Sequence, residues 1–562
     1  MTTSRSTIAL LAIAVILGQL ITACGPKGGN TESTADSASG RRARVDKPLK
    51  APAAPIAAEQ QLLTSKASYA EFDQADAELL EESGERYNAI NENRFQRVEN
   101  HPLSTFGIDV DAASYSNVRR FINEGQLPPK DAVRIEELIN YFKYDYPQPQ
   151  GDRPFSVTTE AASAPWNPDH RLVHIGLQGK TISNENLPPS NLVFLLDVSG
   201  SMDEPNKLPL LKSAFRLLVD QLNQQDQVSI VVYAGAAGVV LPPTPGNQKA
   251  EILQAIEQLS AGGSTAGGEG IERAYQLAQE NFIEAGNNRV ILATDGDFNV
   301  GISSDEGLVR LIEEKREQGV FLTVLGFGTG NLQDAKMESL ANKGNGHYAY
   351  IDNILEAKKV LVNELGGTLL TIAKDVKIQV AFNPDQVQAY RLIGYENRLL
   401  SAEAFDDDTK DAGELGAGHS VTALYEVIPV GVDTEAALPD SDPASSRGSG
   451  SESVAFGPDE LMQVQLRYKL PDHNDSQLLT YPLVDQGLRL EEASTDFKFS
   501  AAVAAFGMVL RRSQYKGSAN FDQVLDWASD SQGPDLDGYR AEFIRLVQTS
   551  KTIVGDQARV TR

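Results

Sequence analysis

Asn191-Leu-Val-Phe-Leu-Leu-Asp197-Val-Ser199-Gly-Ser201-Met202 is an apolar run that ends abruptly in a carboxylate and two hydroxyls. A strand with one wet face would alternate, but Leu192 to Leu196 is continuously apolar. It therefore reads as a central strand of a parallel sheet, buried on both faces. Asp197 falls at its carboxyl end, the edge at which open α/β sheets bind ligands. Asp-x-Ser-x-Ser puts three hard oxygens on one tight loop, and Gly200 lets that loop turn. Oxygens of this kind suit Mg²⁺ or Mn²⁺ rather than a soft metal.

Downstream the chain alternates between the two periodicities. Helical spacing at Lys207 to Leu222 is followed by strands at Gln227 to Tyr233 and Gly238 to Leu241 and a helix at Lys249 to Leu259. After the loop Ala261-Gly-Gly-Ser-Thr265-Ala-Gly-Gly-Glu-Gly270 come a helix from Ile271 to Ala285 and a strand, Arg289 to Thr294, that ends at Asp295. Further helix and strand pairs run to a last helix at Asn353 to Leu365. Strands and helices alternating through short loops imply a doubly wound, mostly parallel sheet. In such a sheet the loop of Thr265 and the strand end at Asp295 both reach the crevice beside Asp197. Two carboxylates and three hydroxyls then surround one point. An octahedral Mg²⁺ keeps water in its shell, which leaves a position open to a partner's oxygen.

Asp197-x-Ser199-x-Ser201, Thr265 in a Gly-Ser-Thr loop, and Asp295 in Ala293-Thr-Asp-Gly296 together resemble the metal-ion-dependent adhesion site of von Willebrand factor type A (VWA) domains. The match runs over about residues 190–367. It implies that Ser199 and Ser201 bind the metal directly, Thr265 directly or through water, and Asp197 and Asp295 mostly through water. It further implies that the metal takes an Asp or Glu of a protein partner as its last ligand, and that the Asn353 to Leu365 helix resembles one whose shift is coupled to the site. Phe106-Gly-Ile-Asp-Val-Asp-Ala-Ala-Ser-Tyr115 and Tyr390-Arg-Leu-Ile-Gly-Tyr-Glu-Asn397 resemble a bacterial lipoprotein family in which a VWA domain is embedded between uncharacterised amino- and carboxyl-terminal domains.

The flanks read differently. Residues 94–150 read as an α+β module, with helical spacing at Ser114 to Glu124 and Asp131 to Tyr144, and 151–189 as a β segment. From 372 to 485 the period is two, with acidic or Ser/Gly-rich inserts at 405–418 and 433–460 that read as solvated loops. Strands on both sides of the α/β part imply one β-sandwich-like module with that part inserted, and 492–562 reads as helical. Asp109 and Asp111, two apart at a strand end, fit either a shared cation or caps of the following turn and helix. Asp297 and Asn299 fall in a run similar to a calcium loop, although its glycine comes one place late.

The amino terminus supplies an address. Arg5, the apolar stretch Ile8 to Leu20 and Ile21-Thr-Ala-Cys24 read as a secretory signal, residues 1–23. Its end resembles the lipobox of bacterial lipoproteins, which implies a lipid on Cys24, the one cysteine of the chain, and hence membrane attachment on the exported side. Gly25 rather than Asp next to it resembles the outer-membrane sorting pattern of enteric bacteria. Residues 24–93 read as a flexible tether. A net charge of −27 argues against nucleic acid.

No catalytic signature stands out. Ser199 lacks the Gly-x-Ser-x-Gly elbow, no histidine sits in a partner motif, and the glycine-rich loop lacks Gly-Lys-Ser/Thr. The sequence therefore points to a cell-envelope binding protein. A metal-dependent hydrolase and an assembly scaffold with a structural metal remain as alternatives.

Overall fold

A computed structural model of the protein describes residues 84–183, 186–234, 236–263, 267–296, 305–434, 438 and 454–560. The signal segment, Cys24 and the tether up to residue 83 lie outside them, as do Thr265, Asp297, Asn299 and most of the 433–460 insert. All the described residues belong to one unit, Ala67–Arg562.

Before the organising strand come β1 (Gln96–Arg97), β2 (Leu103–Gly107), α1 (Ala113–Asn123), α2 (Ile135–Asn140), β3 (Phe155–Ala164) and β4 (Asn167–Gly179). The helix expected over 131–144 is shorter. Arg134 is extended (φ −90°, ψ 108°) and separates a 3₁₀ turn at Lys130–Ala132 from α2. Residues 94–150 are shared among three packing units: β1 and β2 join different sheets, while α1 and α2 pack with the carboxyl-terminal helices.

The α/β part comprises β5 (Ser190–Asp197), α3 (Leu208–Gln221), β6 (Gln227–Ala234), β7 (Ala236–Pro245), α4 (Lys249–Glu257), α5 (Gly267–Glu280), β8 (Asn287–Thr294), α6 (Asp305–Glu317), β9 (Val320–Phe327), α7 (Asp334–Lys343) and β10 (Tyr348–Ile351). Its sheet runs β10-β9-β8-β5-β6-β7, parallel throughout except for the β6–β7 hairpin. Every residue of β5 is buried. Leu192, Phe194 and Leu196 feed one core, with Leu211, Phe215 and Ile252. Val193 and Leu195 feed the other, with Ile271, Tyr275 and Leu308. Two cores on opposite faces are why the run is continuously apolar. The chain winds outward from β5 in one direction and from β8 in the other, so the switch point opens a crevice at the carboxyl ends of these two strands.

After β10 the helix expected at Asn353 to Leu365 is split into α8 (Ile354–Lys358), a π-helical turn (Lys359–Asn363) and α9 (Leu365–Leu369). Glu356 is held there by Arg119 Nη2 at 2.7 Å and by the Tyr141 hydroxyl at 2.8 Å, which ties this segment to α1 and the end of α2. Then follow β11 (Thr371–Phe382), β12 (Val387–Ile393), β13 (Leu399–Leu400), β14 (Gly413–Gly416), β15 (Ser420–Pro429), β16 (Glu460–Lys469) and β17 (Ser476–Val484). They complete two sheets, β1-β12-β15-β4-β3 and β13-β2-β11-β16-β17. Val173, Ile175 and Tyr425 of the first share a core with Phe106, Val380 and Val464 of the second. The α/β part is thus inserted in a β-sandwich to which both flanks contribute strands, as the periodicity implied.

One expected loop proves to be structure. Within 405–418, β14 pairs antiparallel with β11, and Leu415 is fully buried. Gly413 and Gly416 lie against the carbonyls of Ile108 and Gly367, where a Cβ would collide. The acidic composition conceals a strand whose small residues are required by close backbone approach. Three helices close the chain: α10 (Thr495–Leu510), α11 (Phe521–Asp530) and α12 (Tyr539–Val560). The Ala-rich α10 is buried nearly all round and packs on α2. No helix among the described residues is long and apolar enough to cross a membrane.

Candidate metal centre

At the crevice, Asp197 is completely buried and both its oxygens are engaged. Oδ1 accepts from the Ser199 amide at 2.9 Å, which closes the turn into Gly200. Oδ2 accepts from the hydroxyls of Tyr233 and Thr294, each at 3.2 Å. Burial pushes its carboxyl above the usual range, against the pull of the Ser199 hydrogen bonds and with Asp295 adding to the rise. A cation at this point would offset the cost of holding the charge out of water. The Ser199 and Ser201 hydroxyls are hydrogen-bonded to each other at 3.0 Å, which brings their two oxygens side by side. The glycine-rich loop reaches this turn. Gly262 N donates to Val198 O at 2.8 Å, and Gly200 N donates to Gly263 O at 3.1 Å. Thr265 follows two residues later, outside the described residues.

Asp295 caps the neighbouring strand, also fully buried. Its Oδ1 has no hydrogen-bond partner among the described residues, and its Oδ2 accepts from Lys207 Nζ at 3.0 Å. The next residue, Gly296, sits at φ +109°, and a Cβ there would fall 2.5 Å from Asn331 O. The strand can end in this acid only if glycine follows. Four of the five expected site residues are therefore brought to one crevice: Asp197, Ser199, Ser201 and Asp295. Their donor set of hydroxyls and carboxylates, with one buried carboxylate oxygen unused, fits a hard divalent cation.

Lys207 is the residue that sequence reasoning missed, although a signal existed. It stands at the N-cap position of α3. There the partial positive charge of the helix end disfavours an ammonium. A buried lysine at such a place calls for a carboxylate, and Asp295 is that carboxylate.

A model of the von Willebrand factor type A domain matches residues 191–362, and one described as "von Willebrand factor" matches 81–174. A model described as "Uncharacterized protein YfbK, C-terminal" matches 367–553. Uncharacterized protein YfbK of Escherichia coli K12 is 44% identical over 474 residues, covering 82% of this chain and 80% of that protein. The chain belongs to the YfbK family. Among other relatives, uncharacterized protein sll0103 of Synechocystis is 27% identical over 65% of this chain and 80% of its own length. The solved structure of a von Willebrand factor type A protein from Catenulispora acidiphila covers 70% of this chain and 89% of its own, at 16% identity and a TM-score of 0.38.

In this YfbK-family chain Asp109 and Asp111 are held by other partners than the crevice residues, on the seam between the sandwich and α7. Asp109 Oδ1 accepts from Asp111 N at 3.0 Å, and its Oδ2 from Arg398 Nε at 2.9 Å. Asp111 Oδ1 accepts from Tyr348 N at 3.0 Å. The pair holds a turn, but it does not cap α1, whose N-cap Ala112 has no side-chain cap. Asp109 comes together with Glu137 and Glu338, with one oxygen of each within 4.8 Å of the others. Arg134 bridges this group by pairing with Glu137 and Asp334 and approaching Glu338 to 3.8 Å. The neighbouring Glu136 is 1% exposed, and burial pushes its carboxyl up to about 8, with Glu396 and Glu137 adding to the rise.

Proposed function

We propose that this protein is a lipid-anchored binding protein of the bacterial cell envelope, and that it captures an acidic side chain of a protein partner through Mg²⁺ or Mn²⁺. Ser199, Ser201 and Thr265 would contribute hydroxyls to the metal, and Asp197 and Asp295 would support them from the strand ends. The observation that carries this reading is the fully buried Oδ1 of Asp295, which has no hydrogen-bond partner among the described residues, beside paired serine hydroxyls and Asp197 at the switch point of the sheet. A bound divalent cation supplies a positive, oxygen-seeking charge. The chain's own residues fix where that charge stands. Tyr233, Thr294 and the Ser199 amide hold Asp197 in one orientation, and the Gly200 to Gly263 contact holds the glycine-rich loop against the serine turn. VWA membership favours binding over catalysis, and the names of the relatives carry no enzymatic activity.

The lipid on Cys24 and the tether behind it would keep the crevice at the membrane yet free to meet a partner. Two experiments test the two halves of the proposal. Pull-down from envelope extract should recover a partner in Mg²⁺ and lose it in EDTA and in Asp197→Ala; capture that survives both would favour a scaffold. Cys24→Ser should shift the protein from the membrane to the soluble fraction, and unchanged fractionation would sink the anchor.

A further inference from the structure

Lys207 is built into the crevice more deliberately than an incidental neighbour would be. Its side chain is nearly buried and its ammonium lies 3.0 Å from Asp295 Oδ2. Its stem crosses Gly328, where any Cβ would meet Lys207 Cγ and Cε, and that glycine is at φ +74°. The backbone thus leaves a trough that this side chain fills. Among the described residues, the groups that engage Asp197 are neutral: the Ser199 amide and the hydroxyls of Tyr233, Thr294 and Ser199. The one cation of the crevice among its described residues is therefore placed on one of its two acids and withheld from the other.

We infer that Lys207 is a fixed counter-cation that sets the charge of the loaded site and so selects an anionic ligand. The inference rests on the metal-binding reading of the same crevice. Among the described residues, two carboxylates and one ammonium with a divalent cation leave one net positive charge, which a single carboxylate from a partner neutralises. Without the ammonium the same set is already neutral and has no electrostatic reason to prefer an anion. At a separation of a few ångströms in a buried site, one unit charge is worth more than a factor of ten in an affinity. Lys207 accordingly weakens the metal and strengthens the ligand. A side chain that merely packed α3 against the sheet would not move the two affinities in opposite directions.

The test is calorimetric, on the full-length protein in detergent, with Mg²⁺ alone as the first titrant and acetate, added to the Mg²⁺-saturated protein, as the second. Lys207→Met should bind Mg²⁺ at least tenfold more tightly than wild type and acetate at least tenfold more weakly. Lys207→Gln, which removes the charge but keeps a shorter side chain with an amide donor, should behave in the same way and covers the event that the methionine variant fails to fold. Affinities that both fall, or neither of which moves, in a folded variant would overturn the role of Lys207 while leaving the metal site intact. Wild type that takes up no Mg²⁺ would instead overturn the metal reading, and this inference with it.

Discussion

Two groups of buried acids in this molecule look alike in the sequence and behave differently in the fold. In the crevice, Asp197 and Asp295 stand at adjacent strand ends with two serine hydroxyls, one lysine and a carboxylate oxygen without a partner among the described residues. On the seam, Asp109, Glu137, Asp334 and Glu338 are cross-linked by Arg134 and Arg398. The crevice acids belong to one domain and face its open edge. The seam acids come from the amino-terminal segment and from α7, and Arg398 comes from the sandwich. Their guanidinium bridges join the inserted domain to its host. A cluster of carboxylates is therefore a poor guide by itself. What sets the proposed metal site apart from the ionic joint is the pair of serine hydroxyls beside its acids and their place at the carboxyl edge of the parallel sheet, since buried carboxylate oxygens without a partner among the described residues occur in both, Asp295 Oδ1 in the crevice and Asp111 Oδ2 on the seam.

The largest expected effect comes from breaking the joint. Arg134→Ala leaves Glu137 and Asp334 buried without their partner, and such a loss costs about 3–5 kcal/mol. Urea unfolding should show it, while the folded variant should bind Mg²⁺ as wild type does. A change below about 1 kcal/mol would mean that the seam is not a joint. The second expectation concerns pH. Glu136, pushed up to about 8 by burial, is neutral in the fold at moderate pH, whereas in the unfolded chain it ionises near the ordinary value of about 4.3. Its contribution is therefore complete below the unfolded value and is lost as the pH rises through about 8. Glu136→Gln should flatten the fall in melting temperature between pH 5 and 9 and be the more stable protein at the alkaline end. An unchanged slope would contradict the assignment. The smallest effect belongs to the crevice: Gly328→Ala fills the trough of Lys207 and places a Cβ at φ +74°. It should cost roughly 1–2 kcal/mol in thermal unfolding while shifting Mg²⁺ affinity upward as Lys207 leaves Asp295. A stability loss without that shift would show strain alone.

Much of this was legible in the sequence because burial on two faces writes itself as an unbroken apolar run and burial on one face as alternation. Leu192 to Leu196 declared a central parallel strand, and the period of two on either side declared the sandwich strands. What escaped did so for identifiable reasons. β1 and β13 are only two residues long, and β17 is an exposed edge strand with a weak alternation of burial. β14 hides in an acidic segment, where Gly413 and Gly416 matter for what they lack. Of the site, Asp197, Ser199, Ser201 and Asp295 could be named because each ends a strand or begins its loop. Lys207 could not be paired in advance, since its partner lies 88 positions away and only the winding of the sheet brings them together. Asp109 and Asp111 illustrate the converse. Two carboxylates two apart fitted either a shared cation or caps of the following turn and helix; Asp109 Oδ1 holds the turn through Asp111 N and its Oδ2 takes Arg398, and neither acid caps α1.

The contrast between crevice and seam reduces to one measurement. Mn²⁺ titrated into the purified full-length protein and followed by electron paramagnetic resonance should show one tight site, lost in Asp197→Ala and retained in Asp109→Asn. Retention in Asp197→Ala with loss in Asp109→Asn would place the metal on the seam and contradict the central claim.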